Sequence, residues 1–261
     1  MPPTLVALTR ELSPTIGDCE LTHVPRQPID VERARAQHWA YEAGLRDLGC
    51  EVRRVAPAPG LPDAVFVEDA AVVLDEVAVI TRPGAASRRA ETASVASALA
   101  ALRRLAHIEE PATLDGGDVL VVGRRVFAGL SSRTNAEGVA QLRALLGPLG
   151  LAVEGVPVRG CLHLKSAVTA FGPEALLLNP AWVDGGAFAG LEQVHVDPAE
   201  PLAANCLRVG DTVLFPAAFP RTRRLLEERG VAVRTLDVSE LARAEGALTC
   251  CSLLVPLGTP A

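Results

Sequence analysis

The sequence predicts one α/β domain, residues 1–261, built from five similar units that close around an axis. The first observation behind this prediction is the recurring order of strand, strand, helix and strand along the chain. The second is a polar residue that opens the first strand of each unit, at separations of 46, 48, 42 and 45 positions, a period typical of radial repeats. These residues are Asp69, Asp115, His163, Asn205 and Cys250. We expect all five to point from equivalent strand ends into one central pocket.

The first helix is predicted over residues 30–49. Asp30 can cap its first turn, and Gly49 can end it because glycine readily adopts the left-handed conformation that closes a helix. The apolar face repeats with helical period and comprises Ala34, His38, Tyr41, Leu45 and Leu48.

The remaining units repeat the same order of elements. Paired strands are predicted over residues 64–81, 118–130 and 204–216, helices over 87–105, 135–150 and 221–230, and a closing strand over 231–238. Composition does not shift along the chain and no low-complexity linker interrupts it, which favours a single domain.

Composition excludes several classes of protein. A hydrophobic fraction of 49% with 21% charged residues indicates a folded globule rather than a disordered chain. The net charge of −6, with no Lys/Arg run, argues against nucleic acid and favours a small-molecule ligand. No apolar run approaches the ~20 residues that span a bilayer, and the N-terminus lacks the pattern of a signal peptide. We therefore expect a cytoplasmic protein with no membrane association.

Six cysteines are scattered irregularly, which favours reduced thiols over a disulfide framework. Two of them, Cys250 and Cys251, stand side by side at the start of an apolar run. The simplest interpretation is that both are small core residues. In a strand, however, neighbouring side chains face opposite ways, so at most one of the two sulfurs would face a pocket.

His163 and two groups of acids are the other candidates for chemistry. An isolated histidine beside a strand is often structural, and Asp115 and Asp118, which flank a glycine pair, could simply belong to a hairpin turn. Glu68 and Asp69 are harder to explain, because they lie inside a predicted apolar strand where a carboxylate needs a partner.

A thiol, an imidazole and several carboxylates at equivalent strand ends would form a Cys/His nucleophilic site with an anionic surround. Carboxylates can hold a planar guanidinium by paired hydrogen bonds, which leaves the thiolate beneath the central carbon of that cation. These residue types therefore favour attack at a C–N bond of a guanidinium compound.

The chain resembles the dimethylarginine dimethylaminohydrolases of the guanidino-group-modifying (pentein) superfamily, through nearly its whole length. The resemblance rests on "LPDAVFVEDAAVV", "ITRPGAASRRAE", "ATLDGGDVL", "GLSSRTN", "LHLKS", "AANC" and "LTCCS", in family order. It implies a five-bladed pseudo-symmetric α/β propeller, which agrees with the spacing. It also implies hydrolysis of asymmetric dimethylarginine or monomethylarginine to citrulline and dimethylamine or methylamine, through a covalent thiouronium on cysteine.

The resemblance further implies roles for individual residues. Cys250 would be the nucleophile and His163 the general acid/base, while Asp115 and Asp69 would hold the substrate guanidinium. The other implied substrate-binding residues are Leu21 in a lid loop, Asp63, Glu68, Arg88 and Arg133 at the α-carboxylate, and Ala244 and Glu245 at the α-amine.

The segment before the nucleophile departs from the mammalian family pattern. Those proteins typically have "VDG", whereas this chain has "AEG", and Ala244 and Glu245 stand at the positions that meet the α-amine of the substrate. Glutamate keeps the negative charge of aspartate but reaches further.

The implied chemistry requires neither a metal nor an organic cofactor. Zinc could bind Cys250 together with His163 and block activity, because thiolate and imidazole are zinc ligands. The expected partner is methylated arginine, and the expected assembly is a monomer or a homodimer.

Three alternatives accompany this interpretation. An arginine deiminase would release ammonia from unmethylated arginine, although such enzymes are usually longer. A non-catalytic propeller would bind a partner without chemistry. A structural zinc site could use Cys161, His163 and Cys250, although these residues lack the usual paired ligand spacing.

Overall fold

Five three-stranded sheets surround a common axis in the computed structural model, which describes residues 4–257. The strands are β1 (Thr4–Thr9), β2 (Cys50–Arg54), β3 (Ala71–Val73), β4 (Ala78–Ile80), β5 (Leu105–His107), β6 (Val119–Val122), β7 (Arg125–Leu130), β8 (Ala152–Pro157), β9 (Val168–Ala170), β10 (Ala175–Leu178), β11 (Glu192–His195), β12 (Leu207–Val209), β13 (Thr212–Pro216), β14 (Ala232–Leu236) and β15 (Leu253–Leu257). The helices are α1 (Val31–Asp47), α2 (Thr92–Ala100), α3 (Ala136–Leu146), α4 (Leu164–Ala167), α5 (Pro220–Glu227) and α6 (Ser239–Ala242).

Every sheet has the same topology, which confirms the predicted five-bladed α/β propeller. The first strand runs antiparallel to the second, and the second runs parallel to the third, as in β3, β4 and β5. A parallel pair needs a crossover connection, and α1, α2, α3 and α5 supply it in four of the five units.

The two ends of the chain meet in the fifth sheet. Strand β15 pairs antiparallel with β1, with Val255 opposite Val6, and β1 pairs parallel with β2. The last strand therefore completes a unit that the first two strands begin, and this pairing closes the ring.

Helix α1 agrees with its prediction. The Asp30 side chain accepts a hydrogen bond from the backbone N–H of Arg33, and Gly49 follows the helix with a φ of 87°. His38, Tyr41 and the rest of the predicted apolar face are buried, except for Leu48, which is half-buried at the end of the helix.

The turns that precede the first strands differ from the prediction. Glu68 and Asp69 lie in a short 3-10 turn, Val67–Ala70, and not inside a strand. His163 immediately precedes α4, and Cys250 lies in the 3-10 turn Thr249–Cys251. A segment as short as Val67–Ala70 can form a turn as well as a strand, so the sequence pattern could not distinguish the two. These turns contact one another around the axis.

One predicted helix needs correction, and one unit departs from the expected order of strand, strand, helix and strand. The helix predicted over 87–105 ends at Ala100, because β5 begins at Leu105. In the fourth unit the crossover is only the 3-10 turn Gly185–Phe188, and its two consecutive glycines disfavour an α-helix. Other 3-10 turns are Ile16–Asp18, Ala86–Glu91, Gly116–Asp118 and Gly147–Leu149. Between residues 4 and 257, no helix combines the length and apolarity needed to cross a bilayer.

Candidate active site

A narrow cavity lies at one end of the axis, where the turns before the first strands meet the loops around them. Eight residues singled out from the sequence line it: Asp63, Asp69, Arg88, Arg133, His163, Ala244, Glu245 and Cys250. Four lining residues were not predicted: Glu20, Phe66, Leu162 and Gly246. None of these four is a typical catalytic residue type in its sequence context, so only the fold identifies them.

His163 is buried between two of the predicted acids. Its Nε2 lies 3.0 Å from Oδ2 of Asp115, at hydrogen-bond distance, and its Nδ1 lies 3.8 Å from Oδ1 of Asp69. Burial by itself lowers the pKa of His163, but the charge of Asp69 and the hydrogen bond with Asp115 outweigh it and raise that pKa to about 9. The imidazole is therefore a cation at neutral pH, which suits a group that must donate a proton.

Asp69 is held as an anion on the other side of the histidine. Its Oδ2 accepts a hydrogen bond of 2.6 Å from Arg88, and its Oδ1 accepts one of 2.9 Å from the backbone N–H of Gly117. Burial raises the pKa of Asp69, but the charges of His163 and Arg88 outweigh it and lower that pKa to about 2. The glycine is required here, because a Cβ at position 117 would lie 2.6 Å from Nδ1 of His163.

Cys250 and Cys251 have different surroundings. Cys250 is partly exposed and lines the cavity, whereas Cys251 is fully buried in the hydrophobic core that also contains Tyr41. The two side chains face apart, as predicted, but the reason is that successive residues of a 3-10 turn point about 120° apart, and not strand alternation. Burial and the negative charges of Glu68 and Asp69 raise the pKa of the Cys250 thiol. Cys250 is therefore a neutral thiol until a positive charge approaches.

The two predicted arginines differ in how many partners they have. The Arg88 guanidinium bonds both carboxylate oxygens of Glu91 at 3.0 and 2.9 Å, as well as Asp69. Arg133 is equally buried, but its Nη1 has no hydrogen-bond partner among residues 4–257; the nearest acidic atom is Oδ2 of Asp115 at 3.8 Å. A buried guanidinium with an open donor can receive a carboxylate.

The loop around Leu21, predicted as a lid, is hydrogen-bonded to two residues that line the cavity. The Asp63 carboxylate accepts the backbone N–H of Glu20 at 3.1 Å, and the Glu245 carboxylate accepts the backbone N–H groups of Thr22 and His23 at 2.5 and 2.6 Å. Glu245 thus binds the lid backbone across 222 residues of sequence, which the longer reach of glutamate permits. Leu21 itself is half-buried against the hydrophobic core that includes the buried Ala244, and it does not line the cavity.

Glu68 lies outside the cavity lining. Its two oxygens accept hydrogen bonds of 2.5 Å from Lys165 and 2.8 Å from Thr249, and all three residues line a channel that enters the axis from the opposite end. Lys165 is the one lysine in the sequence. The sequence did not single it out, because a general composition bias also accounts for the scarcity of lysine. Both residues of the Glu68–Lys165 pair line the channel, and neither lines the cavity.

Two of the five repeated polar residues do not line the cavity, which corrects the expectation that all five point into one pocket. Asp115 is fully buried and hydrogen-bonded to His163, and other contacts hold Asn205. Its amide nitrogen donates to the backbone oxygen of Lys165 and to Oγ1 of Thr249, each at 3.0 Å, and its Oδ1 accepts from the backbone N–H of Thr249. Asn205 does not line the cavity. It links the turn that follows His163 to the turn that holds Cys250.

Three buried residues have the geometry of a metal site: ligating atoms of Asp69, Asp115 and His163 lie within 4.8 Å of one another. No cysteine belongs to such a group within residues 4–257, so the alternative zinc site of Cys161, His163 and Cys250 is not assembled. The Sγ of Cys161 instead lies 3.4 Å from the backbone oxygen of His163.

Comparison with known proteins gives consistent results. A family model described as "N,N dimethylarginine dimethylhydrolase, eukaryotic" matches residues 24–180. The dimethylarginine dimethylaminohydrolase of Streptomyces coelicolor is 44% identical over 254 residues, which cover 96% of this chain and 97% of the relative. A cysteine-to-serine mutant of the Pseudomonas aeruginosa enzyme, solved with citrulline, superimposes with a TM-score of 0.92 at 32% identity, covering 97% of this chain and 100% of that one. A histidine-to-glycine dimethylarginine dimethylaminohydrolase, solved as an adduct with S-methyl-L-thiocitrulline, gives a TM-score of 0.90 at 32% identity, with coverage of 97% and 100%.

Proposed function

The chain belongs to the dimethylarginine dimethylaminohydrolase family, and from that premise we propose how its own residues convert asymmetric dimethylarginine or monomethylarginine and water to citrulline and dimethylamine or methylamine. The observation that carries the proposal is the cationic His163, hydrogen-bonded to Asp115 in the cavity that Cys250 also lines. A thiol and a proton donor in one buried cavity can exchange an amine for sulfur on a guanidinium carbon.

The acids are proposed to bind the substrate guanidinium, and the arginines its α-carboxylate. Asp69 lines the cavity together with Cys250, so a planar cation lying above the sulfur would face the Asp69 carboxylate. Asp115 does not line the cavity, and its carboxylate, hydrogen-bonded to His163, would attract the cation by its charge. Arg133 offers its unpaired Nη1 to the α-carboxylate, whereas Arg88 must give up one of its present partners to do the same. Arg133 is therefore proposed as the stronger anchor.

Substrate binding is proposed to generate the nucleophile. In the free protein the Cys250 thiol is neutral, because burial and neighbouring acids raise its pKa. A bound guanidinium places a positive charge beside the sulfur, which favours the thiolate, and the proton leaves to solvent. The protein is then reactive mainly when a cationic substrate is present.

The first chemical step forms the C–S bond. The Cys250 thiolate attacks the central guanidinium carbon, and the tetrahedral adduct collapses as His163 gives its proton to the departing dimethylamine nitrogen. The C–N bond breaks, and a positively charged thiouronium remains on Cys250. His163 is now neutral.

The second step returns the protein to its starting state. Neutral His163 takes a proton from water, whose oxygen attacks the thiouronium carbon. Collapse of this adduct breaks the C–S bond and forms the ureido carbonyl of citrulline, while the hydroxyl proton passes to sulfur. Cys250 is again a thiol and His163 again a cation.

These steps use only side chains, so we propose that no metal or organic cofactor is needed. Zinc bound to Cys250 and His163 would inhibit by occupying the nucleophile and the acid. All six cysteines are free thiols, which supports a reducing compartment such as the cytoplasm. The assembly is proposed to be a monomer or a homodimer.

Citrulline release across arginine, monomethylarginine and the two dimethylarginines tests the proposed substrate. We expect asymmetric dimethylarginine and monomethylarginine to be turned over, with one methylated amine released per citrulline. Turnover of unmethylated arginine alone, with release of ammonia, would favour the deiminase alternative. Absence of citrulline from all four compounds would favour the non-catalytic alternative.

Substitution of Gly117 by alanine is expected to lower kcat by about 10²-fold, because displacement of a catalytic group by about 1 Å has an effect of this size. The new methyl group would lie 2.6 Å from Nδ1 of His163 and 2.7 Å from Oδ1 of Asp69, and both partners are buried. Gly147→Ala is the matched control, since a Cβ there meets nothing within 4 Å. Unchanged kcat in folded Gly117→Ala would contradict the assigned role of His163.

A further inference from the structure

A fully buried carboxylate that the proposed chemistry does not use lies next to the site. Oδ1 of Asp118 accepts the backbone N–H of Leu164 at 2.8 Å, and Oδ2 accepts the hydroxyls of Ser131 and Thr134 at 2.6 and 2.7 Å. Asp118 is 0% exposed. Its partners come from two separate segments of the chain, residues 131–134 and the turn at Leu164, and both segments carry predicted site residues.

Each of these partners is directly connected to a predicted site residue. Leu164 immediately follows His163. The Thr134 hydroxyl accepts the backbone N–H of Asp115 at 3.1 Å. The Ser131 hydroxyl accepts the backbone N–H of Arg133 at 3.0 Å. The Asp118 carboxylate is thus linked to the backbone next to His163 and, through the two hydroxyls, to the backbone N–H groups of Asp115 and Arg133.

The Asp118 carboxylate is closely packed against a neighbouring strand. A Cβ at Gly129, on β7, would lie 2.6 Å from its Oδ1, so the strand must be bare at this point for the carboxylate to fit. Burial raises the pKa of Asp118 to about 6, and the charge of His163 opposes this rise. The carboxylate is therefore ionised at neutral pH, and it adds negative charge near the imidazolium.

We propose that Asp118 is a positioning residue, which sets the separation and alignment of His163 and Asp115 by bonding the turn of the one directly and the turn of the other through Thr134. The inference rests on the proposed function, in which His163 must donate a proton to the leaving amine. Asp118 acts through its partners and does not line the cavity that would hold the substrate.

Asp118→Asn tests the proposal with little change of shape. The amide can still accept from Leu164, but its NH₂ group must face Ser131, whose oxygen already accepts the backbone N–H groups of both Arg133 and Thr134. Since a hydroxyl has two lone pairs, the Ser131 oxygen cannot accept from that NH₂ group, and the hydroxyls of Ser131 and Thr134 both lose the oxygen to which they donate. The hydrogen bonds from Ser131 and Thr134 to position 118 should therefore be lost, while the fold is kept.

The expected result is a fall of about 10²-fold in kcat, with KM for asymmetric dimethylarginine changed less than about threefold, because the geometry of reaction is lost and the binding groups remain. The pKa of His163, followed by NMR of its ring in the substrate-free protein, should fall below its wild-type value near 9. Asp69 and Asp115 still face the ring, with Arg133 beside Asp115, so the pKa should fall only in part.

Three further variants separate the positioning role from a general loss of packing. Thr134→Val cuts only the connection from Asp118 to Asp115, and it should lower kcat in the same direction. The matched controls are Glu200→Gln, which alters a buried carboxylate bonded to the backbone N–H groups of Arg221 and Thr222, and Thr169→Val, which removes a hydroxyl that accepts the backbone N–H of Cys206. Both controls should keep wild-type kcat and the wild-type pKa of His163.

The outcomes separate this inference from the function on which it depends. A wild-type protein that releases no citrulline overturns the proposed function, whereas the NMR titration still reports on Asp118. Wild-type kcat together with an unchanged His163 pKa in Asp118→Asn overturns the positioning role, as does an equal loss in the two controls. If Asp118→Asn does not fold, wild-type kcat in Thr134→Val overturns it.

Discussion

Replacement of Cys250 by serine is expected to abolish citrulline release from asymmetric dimethylarginine, whereas Cys251→Ser should retain much of it. Cys250 lines the cavity with His163, and an alcohol is a far weaker nucleophile than a thiolate because so little of it ionises. Cys251 is fully buried in the core, so its substitution affects packing rather than chemistry. Citrulline assays at equal protein concentration compare the two variants.

Folding must be monitored alongside activity in this comparison. Serine at position 251 places a hydroxyl in an apolar environment, although the backbone oxygen of Ala247, 3.5 Å from the present sulfur, offers it an acceptor. We therefore expect a modest loss of stability, visible as a lower melting temperature, and a near-normal rate for the folded fraction. Equal loss of activity in both variants, with both proteins folded, would show that Cys250 has no special role.

His163→Ala is expected to reduce turnover of asymmetric dimethylarginine by about 10²- to 10⁴-fold, the range over which a general acid or base contributes. The departing dimethylamine needs a proton, and His163, with a pKa raised to about 9, carries it at neutral pH. A substrate whose leaving group departs as a thiolate needs no such proton. S-methyl-L-thiocitrulline should therefore still react with Cys250 in this variant, losing methanethiolate and leaving the thiouronium adduct, which should persist because the base for hydrolysis is missing.

Intact-protein mass spectrometry measures that adduct, and Cys250→Ser in the same experiment is the control that should remain unmodified. Rapid turnover of both substrates by His163→Ala would mean that another group moves the proton. Failure of the thiocitrulline to react would mean instead that the imidazolium is needed to form the thiolate, against the proposal that the substrate guanidinium supplies that charge.

The family, the fold class and the reaction were predictable from the sequence, and the comparisons confirm all three. Local patterns sufficed for α1, because its cap at Asp30, its period and its terminal Gly49 act within one segment. The equal spacing of five polar residues revealed the repeat, because each unit has to return the chain to the same axis.

The tertiary structure alone decided which groups meet at that axis. Glu68 and Asn205 have the same sequence signal as the residues of the cavity, yet they bond Lys165 and Thr249 away from it. The backbone conformation of the short turns decides which side chains from different units face one another. The order of residue types along the chain does not specify that conformation.

Long-range contacts were likewise beyond the sequence. The pairing of β15 with β1 and the hydrogen bonds of Glu245 to the lid join opposite ends of the chain. Asp118, which the sequence suggested only as part of a hairpin, holds the backbones of three segments together. The sequence by itself determined what each segment can form, because hydrogen bonding and apolar periodicity are local, whereas the partners of a buried charge are determined when the ring closes.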